Sequence, residues 1–215
     1  HSQAFKLSPQ GINIEPSIST APSGAKSYCA WLNDSTPGHK NLFDPNRGRQ
    51  ILISVYTKDP ANPDDPNQWS APEGVLAAPD DFPGLLEPKV ILNGDDSGLL
   101  VFTALDKGAT LRDSGLGSGR YLYAARLQGG LFGEPFRVHG KCFKREYGYE
   151  QSFGFDIPDL VDPFAKFKKP EWVMSYQGLG DLGSRAASGN VLVTTLAEGS
   201  ETWSPPVNLT PDGNI

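Results

Sequence analysis

The chain has 215 residues and a formal net charge of -6. This length is enough for one domain with a substantial core, and the negative charge argues against nucleic acid as the main partner, because phosphate binding needs clustered Lys and Arg. There is no long apolar run, so we expect no membrane span. The 24 Gly and 19 Pro residues interrupt helices and favour turns between short strands, which predicts an all-β protein.

Three segments of about 70 residues share one pattern. Glycines at positions 48, 119 and 189 lie 71 and 70 residues apart, and prolines at 16, 88 and 158 lie 72 and 70 apart. After each glycine comes an aromatic residue that is followed three positions later by proline, at 69 and 72, 132 and 135, and 203 and 206. A fixed period of this kind indicates a repeat architecture. We predict one repeat domain over 1–215, with units at about 12–76, 85–138 and 157–209.

Each unit contains four predicted strands, called A to D. Strand A follows the repeated proline (17–19, 89–92, 159–161), and the more apolar strand B comes next (28–32, 99–103, 171–176). Strand C begins at the repeated glycine (48–53, 119–123, 189–196), and strand D carries the aromatic residue and proline (69–75, 132–138, 203–209). These runs are short and rich in β-branched and aromatic residues. Because proline lacks a backbone donor, strand D is predicted at the sheet edge. The segment Asn93-Gly94-Asp95-Asp96-Ser97-Gly98 predicts a tight A to B turn, in which Asn-Gly supplies the positive φ that hairpins need.

The segment Trp203-Ser204-Pro205-Pro206 resembles the ends of TolB-type and sialidase-type (BNR-like) β-propeller repeats, in which a strand pair leads into Trp-x-x-Pro. The sialidase Asp-box, Ser-x-Asp-x-Gly-x-Thr-Trp, is half met by residues 197–203 and is absent from the other two units. The resemblance implies that each unit is a four-stranded antiparallel blade of a β-propeller.

Three blades cannot close a ring, because propellers use roughly four to eight. Residues 6–11 resemble residues 208–213, so the chain begins and ends at the same phase of its repeat. We therefore predict that two chains join head to tail as a homodimer with a six-bladed ring. Two alternatives remain open, namely that the chain is part of a longer propeller and that three sheets form a self-sufficient sandwich.

Long loops follow strand B in every unit and strand D in the second unit, and in a propeller these connections emerge on one face. Binding residues usually lie on such loops. Arginine fits a carboxylate ligand, and tyrosine can stack on a sugar ring. The predicted ligand-binding residues are Arg49, Arg120, Arg185, Asp113, His39, Tyr147 and Tyr149. The alternatives are that Arg49 and Arg120 are exposed loop-end residues paired with Asp, and that the tyrosines pack the loop or contact a partner chain.

Two carboxylates are needed for glycoside hydrolysis, and Asp106 and Glu150 are candidate catalytic residues by location. No histidine belongs to a recognisable nucleophile motif. The acidic turns at 59–65 and 93–98 lack the spacing of a defined calcium loop, so we predict neither a metal nor a cofactor. The cysteines Cys29 and Cys142 either form a disulfide or remain separate small apolar residues.

The loop face and the resemblance together predict a secreted or periplasmic, lectin-like propeller that binds a glycan or an acidic small molecule. Two other functions remain open, because a fold does not imply a function. One is a glycoside hydrolase of sialidase-like or related propeller type. The other is a scaffold for protein interactions.

Overall fold

The computed structural model describes residues 11–34, 48–62, 65, 68–104, 120–143, 159–161, 171–178 and 190–209. These residues form strands and one short 3-10 helix, Pro79–Asp81, with no α-helix among them, which confirms the all-β prediction. No helix in this described part could cross a membrane. The strands are β1 (Ile12–Thr20), β2 (Lys26–Asp34), β3 (Arg49–Thr57), β4 (Glu73–Gly74), β5 (Leu86–Gly94), β6 (Ser97–Ala104), β7 (Arg120–Gln128), β8 (Leu131–Phe132), β9 (Phe136–Phe143), β10 (Asp159–Val161), β11 (Glu171–Gly178), β12 (Asn190–Ala197) and β13 (Val207–Asn208).

The strands pair into three antiparallel sheets. Sheet 1 has the order β1-β2-β3-β4, sheet 2 has β5-β6-β7 with both β8 and β9 on β7, and sheet 3 has β10-β11-β12-β13. The strand that follows the aromatic residue is the last one in each sheet, which confirms the predicted edge position of strand D. In sheet 2 this strand is longer than predicted. Cys142 lies in β9 and not in a loop, because two register shifts let β9 stay paired with β7 as far as Phe143.

A serine hydroxyl explains the repeated Trp-Ser-x-Pro segment. In sheet 1 the Ser70 amide donates to the Val55 carbonyl (2.8 Å), and the Val55 amide donates back to Ser70 Oγ (2.9 Å). The hydroxyl of Ser54 donates to the Ser70 carbonyl (2.7 Å). The serine side chain therefore takes the place of a backbone acceptor where the chain leaves the ladder to pass through Pro72, and no strand amide is lost to the proline.

Sheet 3 repeats this arrangement and sheet 2 lacks half of it. The Ser204 amide donates to the Thr195 carbonyl (2.8 Å), and the Thr195 amide donates to Ser204 Oγ (3.0 Å). In sheet 2 the equivalent position is Gly133, whose amide donates to the Arg126 carbonyl (2.8 Å). The backbone hydrogen bond is therefore kept in sheet 2. Because glycine has no hydroxyl, this position offers no side-chain acceptor to the facing strand.

Two apolar cores lie between successive sheets. The first is shared by sheets 1 and 2 and contains an aromatic group in which Phe82 meets Phe102 and Tyr123 edge-on, at 5.6 and 5.1 Å between ring centroids. The second is shared by sheets 2 and 3. Its buried members are Leu99, Val101, Leu122, Ala124, Val138, Trp172, Met174, Leu196 and Trp203.

The repeated aromatic residues pack between sheets at two of the three positions. Phe132 of sheet 2 meets Tyr28 of sheet 1 edge-on (6.4 Å), and Trp203 of sheet 3 is buried in the second core. For these two residues the predicted packing between units is confirmed. Trp69 is half-buried and contacts Tyr56 of its own sheet (5.5 Å).

The first strands of sheets 1 and 2 lie side by side. The amide of Val90 in β5 donates to Ser17 Oγ (3.2 Å), and the amide of Leu92 donates to Ser19 Oγ (3.0 Å). Hydroxyl groups on β1 therefore accept the backbone amides along the edge of β5 that is not paired with β6. The two strands form the inner side of the arrangement.

The A to B turn of sheet 2 differs from the prediction. Strand β5 ends at Gly94 and β6 begins at Ser97, so Asp95 and Asp96 form the turn. Gly94 does not have positive φ. A Cβ atom there would lie 2.5 Å from Ser97 Oγ, so a larger residue would require the serine side chain to move. The hairpin and its turn within 93–98 were predicted, but the positive φ expected for Asn93-Gly94 was wrong.

The two turn aspartates bind sheet 1. Asp95 accepts a hydrogen bond from the Ser23 hydroxyl, and Asp96 accepts hydrogen bonds from Lys26 Nζ (2.5 Å) and the Tyr28 hydroxyl (3.2 Å). Burial, followed by the hydrogen bond to Asp96, raises the pKa of Tyr28 to about 12. The hydrogen bond from Lys26 lowers the pKa of Asp96. These contacts join sheets 1 and 2 at the end opposite to the long loops.

Candidate functional site

The long-loop end of sheet 1 carries a group of polar side chains, which we call the polar cluster. It lies where β1 and β5 begin, where β2 ends and where β3 begins, because the pairing brings Ile12, Asp34 and Arg49 into one row. Its members are Asn13, Glu15, Asn33, Asp34, Arg49 and Glu87. This is the face on which the loop lengths predict the binding site.

Asn13 organises the β1 side of the polar cluster. Its Oδ1 atom accepts hydrogen bonds from Trp31 Nε1 (2.9 Å) and Asn33 Nδ2 (3.0 Å), and its own amide donates to the Gly11 carbonyl (3.2 Å). Trp31 and Asn33 are both buried. The amide of Asn13 therefore has a fixed orientation, because buried donors need partners.

A buried ion pair lies next to it. The Nε atom of Arg49 is 3.7 Å from Asp34 Oδ2, and both side chains are almost fully buried. Arg49 also donates from a terminal guanidinium nitrogen to the Leu85 carbonyl (3.0 Å), which immediately precedes β5. Arg49 thus links the start of strand C in sheet 1 to the start of strand A in sheet 2. Burying two charges is costly unless they are paired and hydrogen-bonded, so the burial of Arg49 depends on Asp34 and on the Leu85 carbonyl.

Gly11 is required at the edge of this pair. It has φ of +117°, and a Cβ atom at this position would lie 2.8 Å from the Asp34 carbonyl oxygen. Both the backbone conformation and the close approach exclude other residues. The entry into β1 is therefore set directly against the end of β2.

Glu15 and Glu87 occupy the same position in two successive repeats. Each precedes a proline, lies at a β-bulge and has positive φ, 54° for Glu15 and 57° for Glu87. The Glu87 amide donates to Glu15 Oε2 (2.5 Å), which couples the two bulges. Both residues are half-buried. Positive φ is rare for residues other than glycine and is concentrated at functional sites.

The predicted site residues fall into three groups. Arg49 belongs to the polar cluster; its partner is an aspartate, as one interpretation of the sequence proposed, but the pair is buried and not exposed. Arg120 begins β7, at the same end of sheet 2. His39, Asp106, Asp113, Tyr147, Tyr149, Glu150 and Arg185 lie outside the described residues. The assignment of all these residues to ligand binding or catalysis stays a prediction.

Sequence reasoning did not select Glu15 or Glu87 for the site. It used the prolines at 16 and 88 only as markers of the repeat, although the glutamate before each of them, at the same phase of two repeats, could have identified the pair. Asn13, Asn33 and Asp34 lack any such signal, because their grouping depends on the register of β1, β2 and β3.

The described part of the chain contains no group of three or more His, Cys, Asp or Glu side chains placed to hold a metal ion. In the acidic turn that begins at Asp59, one carboxylate oxygen accepts the Ala61 amide (2.8 Å) and the other accepts the Asn62 side-chain amide (3.3 Å). This carboxylate stabilises its own turn.

Comparison with solved structures finds the same fold at low sequence identity. A Hadza microbial sialidase is similar with a TM-score of 0.55 and 11% identity, over 91% of this chain and 37% of the sialidase chain. A xylan β-1,4-xylosidase from Bacillus halodurans is similar with a TM-score of 0.51 and 14% identity, over 93% of this chain and 32% of that chain. No protein-family model matches the sequence, and no curated protein matches it significantly.

The chain is built of sialidase-like propeller blades. At these identities the similarity defines the fold alone. The chain spans about one third of the length of the two solved structures.

Proposed function

We propose that the protein binds carbohydrate at the long-loop face of its propeller, with Glu15 and Glu87 as the carboxylates that accept hydrogen bonds from sugar hydroxyls. The observation that carries the proposal is the pair of coupled Glu-Pro bulges on the inner strands. Each bulge holds its glutamate in a strained backbone conformation, and this places the carboxylate differently from a regular strand. A carboxylate offers several acceptor sites, which suits a ligand with many hydroxyl groups.

The rest of the polar cluster supports this role by fixing the backbone around the two glutamates. Arg49 binds the Leu85 carbonyl two residues before Glu87, and Asp34 holds Arg49 in place. We therefore assign Arg49 as a positioning residue. The residues predicted to contact the ligand directly are Arg120, Arg185, Asp113, His39, Tyr147 and Tyr149, which complete the proposed site.

Glycan-array binding followed by calorimetry on the sugars that bind tests the proposal. We expect Glu15→Gln and Glu87→Gln each to weaken binding about tenfold or more, because a charged acceptor makes a stronger hydrogen bond than an amide. The amide keeps an oxygen for the Glu87 backbone contact, so the fold is preserved. Glu73→Gln, at the exposed outer edge of sheet 1, is the matched control and should bind normally. Equal affinity of all three variants would reject the site.

A second candidate function is glycoside hydrolysis. It is favoured by two carboxylates on neighbouring inner strands and by a fold shared with proteins named as a sialidase and a xylosidase. The test is turnover of fluorogenic sialosides and xylosides. If turnover occurs, Glu15→Gln or Glu87→Gln should lower kcat more than it raises KM. Asp106→Asn and Glu150→Gln test the residues predicted from sequence, and unchanged kcat in both would remove them from the reaction.

Two further parts of the proposal concern the assembly of the protein and its location. The ring is completed to six blades by a second copy of the chain. Glycan recognition takes place in a secreted or periplasmic setting. The third alternative, a scaffold for protein interactions, is favoured only if no sugar on the array binds and no glycoside is hydrolysed.

A further inference from the structure

We infer that Glu15 is a positioning residue that holds Glu87 in the backbone conformation from which its carboxylate reaches the ligand. This inference rests on the proposed carbohydrate site and gives one of its two glutamates a second role. The Oε2 atom of Glu15 accepts the Glu87 amide (2.5 Å). The side chain of Glu15 therefore acts directly on the backbone of Glu87.

Glu15 is the first of three side chains on β1 that accept backbone amides of β5. Ser17 Oγ accepts the Val90 amide (3.2 Å), and Ser19 Oγ accepts the Leu92 amide (3.0 Å). The three side chains are half-buried, whereas the residues that alternate with them on β1 are exposed. This is the pattern of a strand in which every second side chain faces the same neighbour. We call these three side chains the acceptor row.

The β-bulge in β1 brings Glu15 into the acceptor row. Ile14 packs against the core that sheets 1 and 2 share, and in a regular strand the next side chain would point to the opposite face of the sheet. The register shift between Ile14 and Ser17, together with the positive φ of Glu15, changes this direction. The strained bulge thus delivers a carboxylate to the edge of β5.

The end of the acceptor row at the proposed site requires a side chain longer than serine. The acceptors on β1 are two residues apart, whereas the donors Glu87 and Val90 on β5 are three residues apart. The additional residue belongs to the bulge of β5. Because a glutamate carboxylate lies two bonds further from Cβ than a serine hydroxyl, Glu15 reaches the amide that this bulge displaces.

The hydrogen bond from the Glu87 amide opposes relaxation of the second bulge. Glu87 has φ of +57°, a conformation that is unfavourable for a residue with a Cβ atom and persists only where surrounding contacts fix it. A carboxylate accepts an amide hydrogen more strongly than a neutral group does. Without the carboxylate of Glu15, the Glu87 backbone can return to an extended conformation, which turns its side chain away from the site.

The serine part of the acceptor row is not a general feature of the repeat. At the positions equivalent to Ser17 and Ser19, counted from the repeated proline, β5 carries Lys89 and Ile91. A lysine ammonium only donates hydrogen bonds, and isoleucine has no polar side-chain atom. Strand β5 therefore cannot repeat the two serine acceptors toward sheet 3, and the complete row is particular to the strands that carry the two glutamates.

Amide hydrogen exchange at Glu87, measured by NMR on the isotope-labelled full chain without sugar, tests the positioning role. Glu15→Asp keeps the charge but shortens the side chain by one methylene, so exchange of the Glu87 amide should become about tenfold faster or more. Glu15→Gln keeps an oxygen at the original reach and should change the rate about threefold or less. The Val90 and Leu92 amides should keep their parent rates in both variants, which verifies that β1 and β5 remain folded.

Ser19→Ala is the matched control on the same strand. It removes the acceptor of the Leu92 amide and should speed exchange at Leu92 while leaving Glu87 unchanged. An unchanged Glu87 rate in Glu15→Asp, or equal rates in Glu15→Asp and Glu15→Gln, overturns the inference. Faster exchange at Val90 and Leu92 in Glu15→Asp also overturns it, because the substitution would then loosen all of β1.

Calorimetry on the sugar that binds most tightly on the glycan array measures what this positioning contributes to binding. Glu15→Asp should weaken binding about tenfold or more in the parent chain but about threefold or less in the Glu87→Gln variant, because a residue that acts through Glu87 has little effect once that carboxylate is gone. Equal losses in the two backgrounds would mean that Glu15 does not act through Glu87. Ser19→Ala should bind normally.

The positioning role and the carbohydrate site fail in different ways. If no sugar binds, the proposed function is rejected, and the exchange rates of Glu87 still decide whether Glu15 holds its backbone. If Glu87→Gln weakens binding while Glu15→Asp changes neither exchange nor affinity, the carbohydrate site stands and the positioning role is rejected.

Discussion

The interface between sheets 1 and 2 and the interface between sheets 2 and 3 use the same strand register with different chemistry. Polar contacts join the first pair at both ends, through Arg49 at the long-loop end and Asp96 at the opposite end. The second pair is joined mainly by the apolar core around Trp172 and Trp203. Its polar link is Arg126, which donates to the backbone carbonyls of Ala197 and Ser200.

The difference shows that the repeat specifies shape more strictly than chemistry. The second interface holds two blades together with an apolar core and the backbone contacts of Arg126. The buried charges of the first interface are therefore not needed for blade stacking as such, and replacing buried ion pairs by apolar residues is often neutral for stability. Their placement beside Glu15 and Glu87 is consistent with a role in fixing the proposed site.

The largest expected effect is at the buried ion pair. Arg49→Met should lower the free energy of unfolding by about 3–5 kcal/mol, because it leaves the carboxylate of Asp34 buried without its cation. Urea denaturation measures this loss. The double variant Arg49→Met with Asp34→Asn should recover part of the lost stability. If it is no more stable than the single variant, the two side chains are not coupled.

The apolar interface should respond to the loss of volume alone. Leu99 is fully buried between sheets 2 and 3, and Leu99→Ala should cost about 2–5 kcal/mol through lost burial and a cavity. The loss should be about the same at pH 5 and pH 8, because the substitution removes no ionised group. Thermal unfolding at the two pH values checks this. A strong pH dependence would mean that the packing of Leu99 is coupled to an ionised group of this interface.

A smaller effect is expected at the serine of the Trp-Ser-x-Pro segment. Ser204→Ala removes the acceptor of the Thr195 amide and should cost about 1 kcal/mol. Gly133→Ser makes the reverse change in sheet 2, where a Cβ atom has room because its nearest neighbour is 3.8 Å away. We expect that variant to be more stable than the parent chain. If Gly133→Ser is destabilising, the serine does not act as the acceptor that the repeat requires.

The smallest effect concerns the ion pair between Lys26 and Asp96. The pKa of Asp96 is lowered in the folded protein, chiefly by its hydrogen bond from Lys26. Its stabilising contribution is therefore complete above the ordinary Asp pKa of about 4 and is lost as pH falls through the lowered value. Urea denaturation between about pH 2 and pH 6 should show this loss, and Asp96→Asn should reduce it. Asp80→Asn, at an exposed position, is the control.

The strands were predictable because each is a short apolar run bounded by turn residues, and because the run recurs in every repeat. The segments 28–32, 99–103 and 171–176 all lie within the strands β2, β6 and β11. The edge position of strand D followed from the missing donor of proline. The extent of β9 did not, since register shifts allow its pairing to continue through Gly140 and Cys142.

The polar cluster was only partly predictable. Its face followed from the loop lengths, and Arg49 from its place before strand C. The burial of Arg49 could not be inferred, because it depends on the Leu85 carbonyl of the next sheet and on Asp34 from the neighbouring strand. The contacts of Asp95 with Ser23 and of Asp96 with Lys26 could not be inferred for the same reason, because they form across sheets.

The hydroxyl groups of Ser17 and Ser19 have a consequence for solubility. By accepting the amides of Val90 and Leu92, they occupy a strand edge that could otherwise template the addition of foreign strands and begin aggregation. An alanine at either position would free one of those amides while leaving both apolar cores intact. Such a variant would be well folded and yet more prone to form fibrils.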